Sequence, residues 1–305
     1  MSKVLIVSQD KNQYFFPYIK SKDVIRVSPI NNTSIFFRII RRLIISLNLP
    51  LYKIILGDWV SRIPEVDVII LFDSGYVPKI KKYIRKKNRN CKIILFLWNH
   101  VNPSRLEFIK DFNDKSNTWT FVKEDSIKYG INLNSTLYCK DVILPKSQQL
   151  YDVVFVGREK GKAGNIVDIA KKMETFGLKV KLHLIRSAGN EYTEEIENML
   201  TDKFLDYQKY LEIVSKTDML LDIAEPNNYG LSMRVIEALY FNKKLITNNE
   251  KIKYEPFYNE NNIYIIKNNR LDGFEEFMKK DYVHTNEEYK SYFSIENWIK
   301  RFDTV

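Results

Sequence analysis

The chain of 305 residues is 45% apolar and 28% charged, too long for a mini-protein and too hydrophobic for a disordered tail, and large enough for one large or two ordinary domains. Two cysteines, Cys91 and Cys139, and three histidines exclude a disulfide framework and zinc-type ligand spacing, which points to a reduced, cytoplasmic protein. The net charge of +10 is uneven: residues 1–150 carry 25 Lys+Arg against 12 Asp+Glu (+13), and residues 151–305 carry 23 against 26 (−3).

A basic half facing an anionic partner explains this asymmetry, and so does a solvated basic face. The start, MSKVLIVSQDKNQ, has one short apolar run and no small-residue cleavage site, so no signal peptide is expected. No window reaches 18 uninterrupted apolar residues.

In chain order, short β-rich runs fall at Val4–Val7, Val68–Phe72, Ile93–Trp98, Val153–Val156, Val180–Ile185, Met219–Ile223 and Lys244–Thr247. Helical patterns lie between them, at Val77–Lys87, Asn165–Phe176 and Tyr207–Ser215. That alternation predicts an α/β class with parallel sheets. The polar stretch Leu144–Tyr151 reads as a linker, so two domains are expected: 1–146, and 151–285 followed by a C-terminal helix, 286–305, able to cross back to the first. Open parallel sheets bind ligands at the carboxyl ends of their strands, so a cleft between two such domains is the expected site.

The segment Ile35–Leu56 stands apart. At 100° per residue Arg38, Arg41 and Arg42 share one side, while Phe36, Ile39, Ile40, Leu43, Ile44 and Leu47 cover much of the rest, and Asn48 and Pro50 end the helix. Such a helix can lie at a membrane interface, and a core helix with snorkelling arginines has the same pattern. The basic stretch Lys79–Arg89 favours an anionic membrane surface as the partner of Phe36–Leu47. Nucleic acid is disfavoured because no recognition module or aromatic stacking platform accompanies these cations.

Two strand ends carry candidate chemistry. VVFVGREKGK (Val153–Lys162) ends a buried strand at Gly157 and supplies Arg158 and Lys162 to neutralise a diphosphate, but it matches neither a P-loop nor the G-x-G-x-x-G fingerprint. In Met219–Asn249 a strand runs through a polar loop to Gly230 and a helix that begins near Leu231 or Ser232. Free amides of Leu231, Ser232 and Met233 at that start form a site for phosphate oxygens. Arg234 is either a further cation there or a surface residue of the helix. Glu237 follows Ser232 by five residues, roughly 7.5 Å along the axis, a spacing that suits a carboxylate accepting from two ribose hydroxyls.

The strand–VGR–KG element and GLSMRVIEALYFNKKLIT together resemble the donor domain of GT-B glycosyltransferases of bacterial capsule and lipopolysaccharide clusters and the CgeB-like group, a glycosyltransferase family 1-like donor domain. The resemblance covers 151–270, including FYNENNIYII, and before residue 140 only short pieces such as VDVIILFDS and IILFLWNHV. It implies a GT-B fold of two Rossmann-like domains, a nucleoside-diphosphate sugar as donor substrate, and no cofactor. Residue by residue it places the diphosphate at Gly230, Leu231, Ser232 and Met233, with Arg158 and Lys162 as cationic partners, and the ribose at Glu237.

The chain departs from that pattern in two places. Tyr229 stands where retaining members carry a second glutamate, with Glu225 four residues too early, and Ser8-Gln9-Asp10 replaces the glycine-rich loop after the first strand. No Asp-x-Asp triplet occurs, so metal-independent transfer is expected, with the diphosphate stabilised by the helix start and by Arg158, Lys162 or Arg234. An inverting reaction needs a base. Asp73, after Val68–Phe72, and His100, after Ile93–Trp98, are the candidates, against an N-cap and a loop histidine respectively; His183 and His284 read as structural or exposed. The activity implied is sugar transfer to a lipid-linked or surface-polysaccharide acceptor on the inner face of the cell membrane. An epimerase of the same fold and a catalytically silent nucleotide-binding partner of a synthesis complex are its rivals.

Overall fold

The structure, a computed structural model, describes residues 2–8, 14–30, 34–47, 49, 51–224 and 230–303. The chain divides into two compact units, Met1–Asp141 with Ile299–Val305, and Val142–Trp298.

In the first unit the chain runs β1 (Val4–Val7), β2 (Val24–Val27), α1 (Ile35–Ser46), α2 (Tyr52–Ile55), β3 (Val68–Phe72), α3 (Ile80–Lys87), β4 (Lys92–Leu97), α4 (Pro103–Phe112), β5 (Thr118–Thr120), α5 (Lys123–Tyr129) and β6 (Asn132–Leu133). The strands form one parallel sheet in the order β2-β1-β3-β4-β5-β6. Both faces of a parallel sheet are covered, which is why β1 and β3 are continuous apolar runs rather than alternating ones. Leu5, Ile69, Leu71, Ile93 and Leu95 face one cluster with Ile44 of α1, Ile55 of α2, Ile80 and Ile84 of α3, and Ile109 and Phe112 of α4. On β3 the alternate residue Phe72 stacks on Trp98 and packs against Phe16 edge-on and Phe96 at a tilt instead. Each such fully buried aliphatic or phenyl group stabilises by roughly 1.5–3 kcal/mol.

The last residues belong to this unit. Phe302 packs edge-on against Trp119, centroids 4.9 Å apart, and Arg301 Nε donates to Asn134 Oδ1 at 2.7 Å.

The second unit contains β7 (Tyr151–Arg158), α6 (Ala163–Glu174), β8 (Val180–Ile185), α7 (Glu194–Glu197), β9 (Leu200–Thr201), α8 (Tyr207–Val214), β10 (Thr217–Asp222), α9 (Met233–Tyr240), β11 (Lys244–Thr247), β12 (Ile263–Ile265), α10 (Phe274–Lys279) and α11 (Glu287–Phe293). A twelfth helix, α12 (Ile295–Lys300), leads to the terminal segment. The sheet is again parallel, in the order β12-β11-β10-β7-β8-β9. Ile166, Ile169 and Met173 of α6 cover one face together with Phe274 and Phe277 of α10, while α8 and α9 contact β10.

Several boundaries differ from the sequence pattern. Gly157 and Arg158 lie inside β7, because the parallel register with β8 continues through Gly157↔Leu184 and Arg158↔Ile185. The helix expected from Val77 starts at Ile80, after Lys79 adopts φ +62°. Within Ile35–Leu56, α1 stops at Ser46 and a separate short α2 follows; Asn48 and Pro50 lie outside the described residues. The units divide at Asp141/Val142, before the 144–151 stretch.

Candidate functional site

In the second sheet β7 connects through α6 to β8 on one side, while β10 connects through α9 to β11 on the other. The two strands are neighbours, so their carboxyl ends diverge into a crevice, the switch point at which open α/β sheets take ligands. The functional geometry of this unit is built around those two ends.

Ser232 caps α9. Its hydroxyl accepts from Val235 N–H at 3.4 Å and donates to Asp222 Oδ1 at 2.8 Å, which fixes the helix start to the last residue of β10. Asp222 is buried, and its other oxygen accepts from Thr247 Oγ1 at 3.3 Å. The cap and the macrodipole leave the amides of the first turn directed at the crevice.

Arg234 folds inward rather than lying on the helix surface: its side chain is 17% exposed and its guanidinium sits 4.5 Å over the Phe155 ring. Nε is 3.6 Å from Asp222 Oδ1 and has no hydrogen-bond partner, although it is buried. Gly157 lies beside this guanidinium, and a Cβ there would stand at an ordinary van der Waals distance of 3.5 Å from it. Lys162, at the start of α6, donates its ammonium to the Ile223 carbonyl just beyond β10. Two cations and a helix start thus converge on one crevice.

Arg158 is placed differently. It is exposed, donates to the Arg186 carbonyl at 2.6 Å and lies 5.0 Å over Phe204, toward β8 and β9. Between these cations Glu159 is fully buried and accepts from Ser187 N–H, Asn190 Nδ2, Tyr192 Oη and Ala163 N–H. Burial pushes its carboxyl up, and the Tyr192, Ser187 and Asn190 hydrogen bonds outweigh that, holding it at about 2. Glu159 therefore anchors the turn that presents Lys162.

Glu237 is buried, 2% exposed, and both its oxygens are occupied. Tyr207 Oη donates to Oε1 at 2.7 Å and Tyr210 Oη donates to Oε2. Burial raises its carboxyl to about 7, against the opposing pull of the two tyrosines and Arg234. The spacing from Ser232 is as expected for a ribose acceptor, but α8 stands on the carboxylate in this structure. Gly230, Leu231 and Met233 lie at the start of α9, whereas Glu225 and Tyr229 are outside the described residues.

In the first unit Asp73 ties two strand ends together. Oδ1 accepts from Trp98 N–H at 2.9 Å, and Oδ2 accepts from Asn99 Nδ2 at 3.4 Å and from Arg105 Nε. These three donors make the carboxylate a link between the ends of β3 and β4 and the start of α4. It does not cap α3: Lys79 N–H donates to Asp111 at 2.7 Å. His100 Nδ1 is 3.4 Å from Asp125 Oδ2, which also accepts from Val101 N–H at 2.9 Å, and the His100 side chain is 34% exposed. His183 Nε2 pairs with the Lys203 carbonyl and His284 packs against Tyr282. Ser8 is buried at the end of β1; Gln9 and Asp10 lie outside the described residues.

Sequence reasoning missed Asp222, Glu159, Tyr207 and Tyr210. The first two had a readable signal, a carboxylate at the end of an apolar run; the tyrosines had none, because their link to Glu237 spans about thirty residues. Among the described residues no three His, Cys, Asp or Glu side chains are grouped to hold a metal ion, and no helix is long and apolar enough to cross a membrane.

No protein-family model and no curated protein matches the sequence. Solved structures do. OtsA aligns with 99% of this chain and 98% of its own at 10% identity, TM-score 0.56. TarM aligns with 77% of this chain at 13% identity, TM-score 0.47, and the chain spans only 52% of TarM. The glycotransferase of kitacinnamycin aligns over 100% and 98% of the two chains at 10% identity, TM-score 0.41. With two parallel six-stranded units and this full-length likeness to OtsA, the chain has the GT-B fold.

Proposed function

We propose that this protein transfers a sugar from a nucleoside-diphosphate sugar to a lipid-linked or surface-polysaccharide acceptor of the capsule or lipopolysaccharide type. The observation that carries the reading is the convergence of Lys162, Arg234 and the capped start of α9 at the β7/β10 switch point. A glycosyl transfer leaves a diphosphate, and preorganised cations and amides aimed at it stabilise the charge that develops, with no metal ion required. Glu237 is the ribose acceptor. His100, oriented by Asp125, is the base if configuration is inverted.

The acceptor side belongs to the basic first unit. Between Asp23 and Asp58 the sequence has no acidic residue, and between Asp73 and Glu107 again none. On α1 only Ile44 is buried, while Phe36, Ile39 and Leu43 stay more than half exposed, and Ile54 of α2 is 50% exposed. An exposed apolar face beside Arg38 and Arg42 suits an anionic bilayer. The exposed face of Phe36–Leu47 and the cations of Lys79–Arg89 are the proposed contacts with the inner face of the cell membrane.

Incubating the protein with a panel of nucleotide sugars, with and without membrane extract containing lipid-linked glycans, tests the activity by mass spectrometry of the products. Transfer that requires the extract is the expected result. Conversion of the nucleotide sugar alone would identify an epimerase, and nucleotide binding without any conversion a silent partner.

A further inference from the structure

Glu237 is joined to Tyr207 and Tyr210 by two hydrogen bonds. The tyrosines sit one helical turn apart on α8, their rings stacked at 5.5 Å and 21°, and each donates its hydroxyl to a different oxygen of the same carboxylate. Both rings are half-buried whereas Glu237 is 2% exposed, so the tyrosines stand between the carboxylate and solvent. A buried carboxylate stripped of its donors is costly, and two phenol hydroxyls satisfy it in the absence of ligand. The two hydroxyls of a ribose offer the same donor pair.

We propose that Tyr207 and Tyr210 are specificity-determining residues that occupy Glu237 until a ribonucleotide replaces them. The inference rests on the reading of Glu237 as the ribose acceptor. In the exchange two tyrosine hydrogen bonds are given up for two ribose ones, so the net gain per ribose hydroxyl is small and discrimination against a 2′-deoxyribonucleotide is modest. Without the phenol hydroxyls the carboxylate loses the two donors it has among the described residues, and the ribose replaces them.

The test is calorimetric titration of the full chain with UDP, ADP and GDP and their 2′-deoxy counterparts at pH 8, comparing the parent, Tyr207→Phe/Tyr210→Phe and Glu237→Gln. Phenylalanine keeps the stacked rings, and circular dichroism verifies the fold. The double variant is expected to bind the best ribonucleotide roughly tenfold more tightly than the parent, the worth of a hydrogen bond to a charged group, and to discriminate more strongly against its 2′-deoxy form. Equal or weaker binding by the double variant, with Glu237→Gln impaired, overturns the exchange and leaves the ribose assignment standing. Parent-like binding by Glu237→Gln overturns both.

Discussion

Arg234 lies flat over Phe155, its guanidinium 4.5 Å from the ring, and meets Asp222 through Nε at 3.6 Å. A residue near the start of α9 is thereby held against β7 and the end of β10, the two strands that flank the crevice. Stacking on one side and a carboxylate on the other pre-set a planar cation, which costs less ordering at the moment of binding than a free side chain would.

Arg234→Ala is accordingly expected to weaken nucleoside diphosphate binding by ~1.5–3 kcal/mol, the worth of a charge-assisted hydrogen bond. The corresponding nucleoside should be affected far less. Arg234→Lys should not restore affinity, because an ammonium neither stacks nor forks. Lys162→Ala should behave like Arg234→Ala, whereas Arg158→Ala should have the smaller effect, its guanidinium being directed to the Arg186 carbonyl and Phe204. Calorimetric titration of each variant with diphosphate and nucleoside checks the ranking.

Glu237 links the site to pH. Its carboxyl is raised by burial from 4.5 to about 7, so the folded state binds the proton more tightly than the unfolded chain does. That contribution is fully present below about 4.5 and is lost as pH rises through about 7, at up to about 1.4 kcal/mol per pH unit for one proton. Thermal melts between pH 4.5 and 8 should show this decline in the parent and a flatter profile in Glu237→Gln. Glu237→Ala should weaken nucleoside diphosphate binding at neutral pH by less than the ~1.5–3 kcal/mol of an unopposed hydrogen bond to a charged group, because the parent gives up two tyrosine hydrogen bonds when the ribose binds.

Asp73 and His100 should separate by what their loss disturbs. Asp73→Ala leaves Arg105 partly buried without its carboxylate, and removing one partner of a buried ion pair costs about 3–5 kcal/mol. A lowered melting temperature of the first unit is the expected result. His100→Ala should leave melting and donor binding unchanged and lower kcat, with Asp125→Asn lowering kcat by a smaller factor. Paired melting and kinetic measurements check both.

Reversal of Arg38, Arg41 and Arg42 to Glu should abolish co-sedimentation with anionic vesicles and leave nucleotide binding in the second unit intact. Each cation near such a surface contributes ~1 kcal/mol, so the parent's binding should be reversible and should fade as salt is raised. Equal sedimentation of parent and variant would make the α1 face a site of some other contact.

Periodicity alone located most of the core. Val4–Val7 and Val68–Phe72 appear as strands with the boundaries their apolar runs suggested, because a strand buried on both faces has to be continuously apolar. Glycine, serine and the following apolar helix equally marked α9, since capping is a local event. Short strands such as β5 and β6, only three and two residues long, escaped because they are defined by pairing partners rather than by their own pattern.

The chemistry divides along the same line. Lys162, Ser232 and Glu237 are legible in the sequence because strand ends and helix starts place them. What each one touches is decided by residues distant in the chain: the Ile223 carbonyl for Lys162, Asp222 for Ser232, and two tyrosines of α8 for Glu237. Arg234 turns inward onto Phe155 of the neighbouring β7, and Asp73 is a strut because Trp98 and Arg105 reach it across the neighbouring strand. Local backbone preferences fix where a side chain starts; burial and the need to pair each polar atom, satisfied only in the folded chain, fix where it ends.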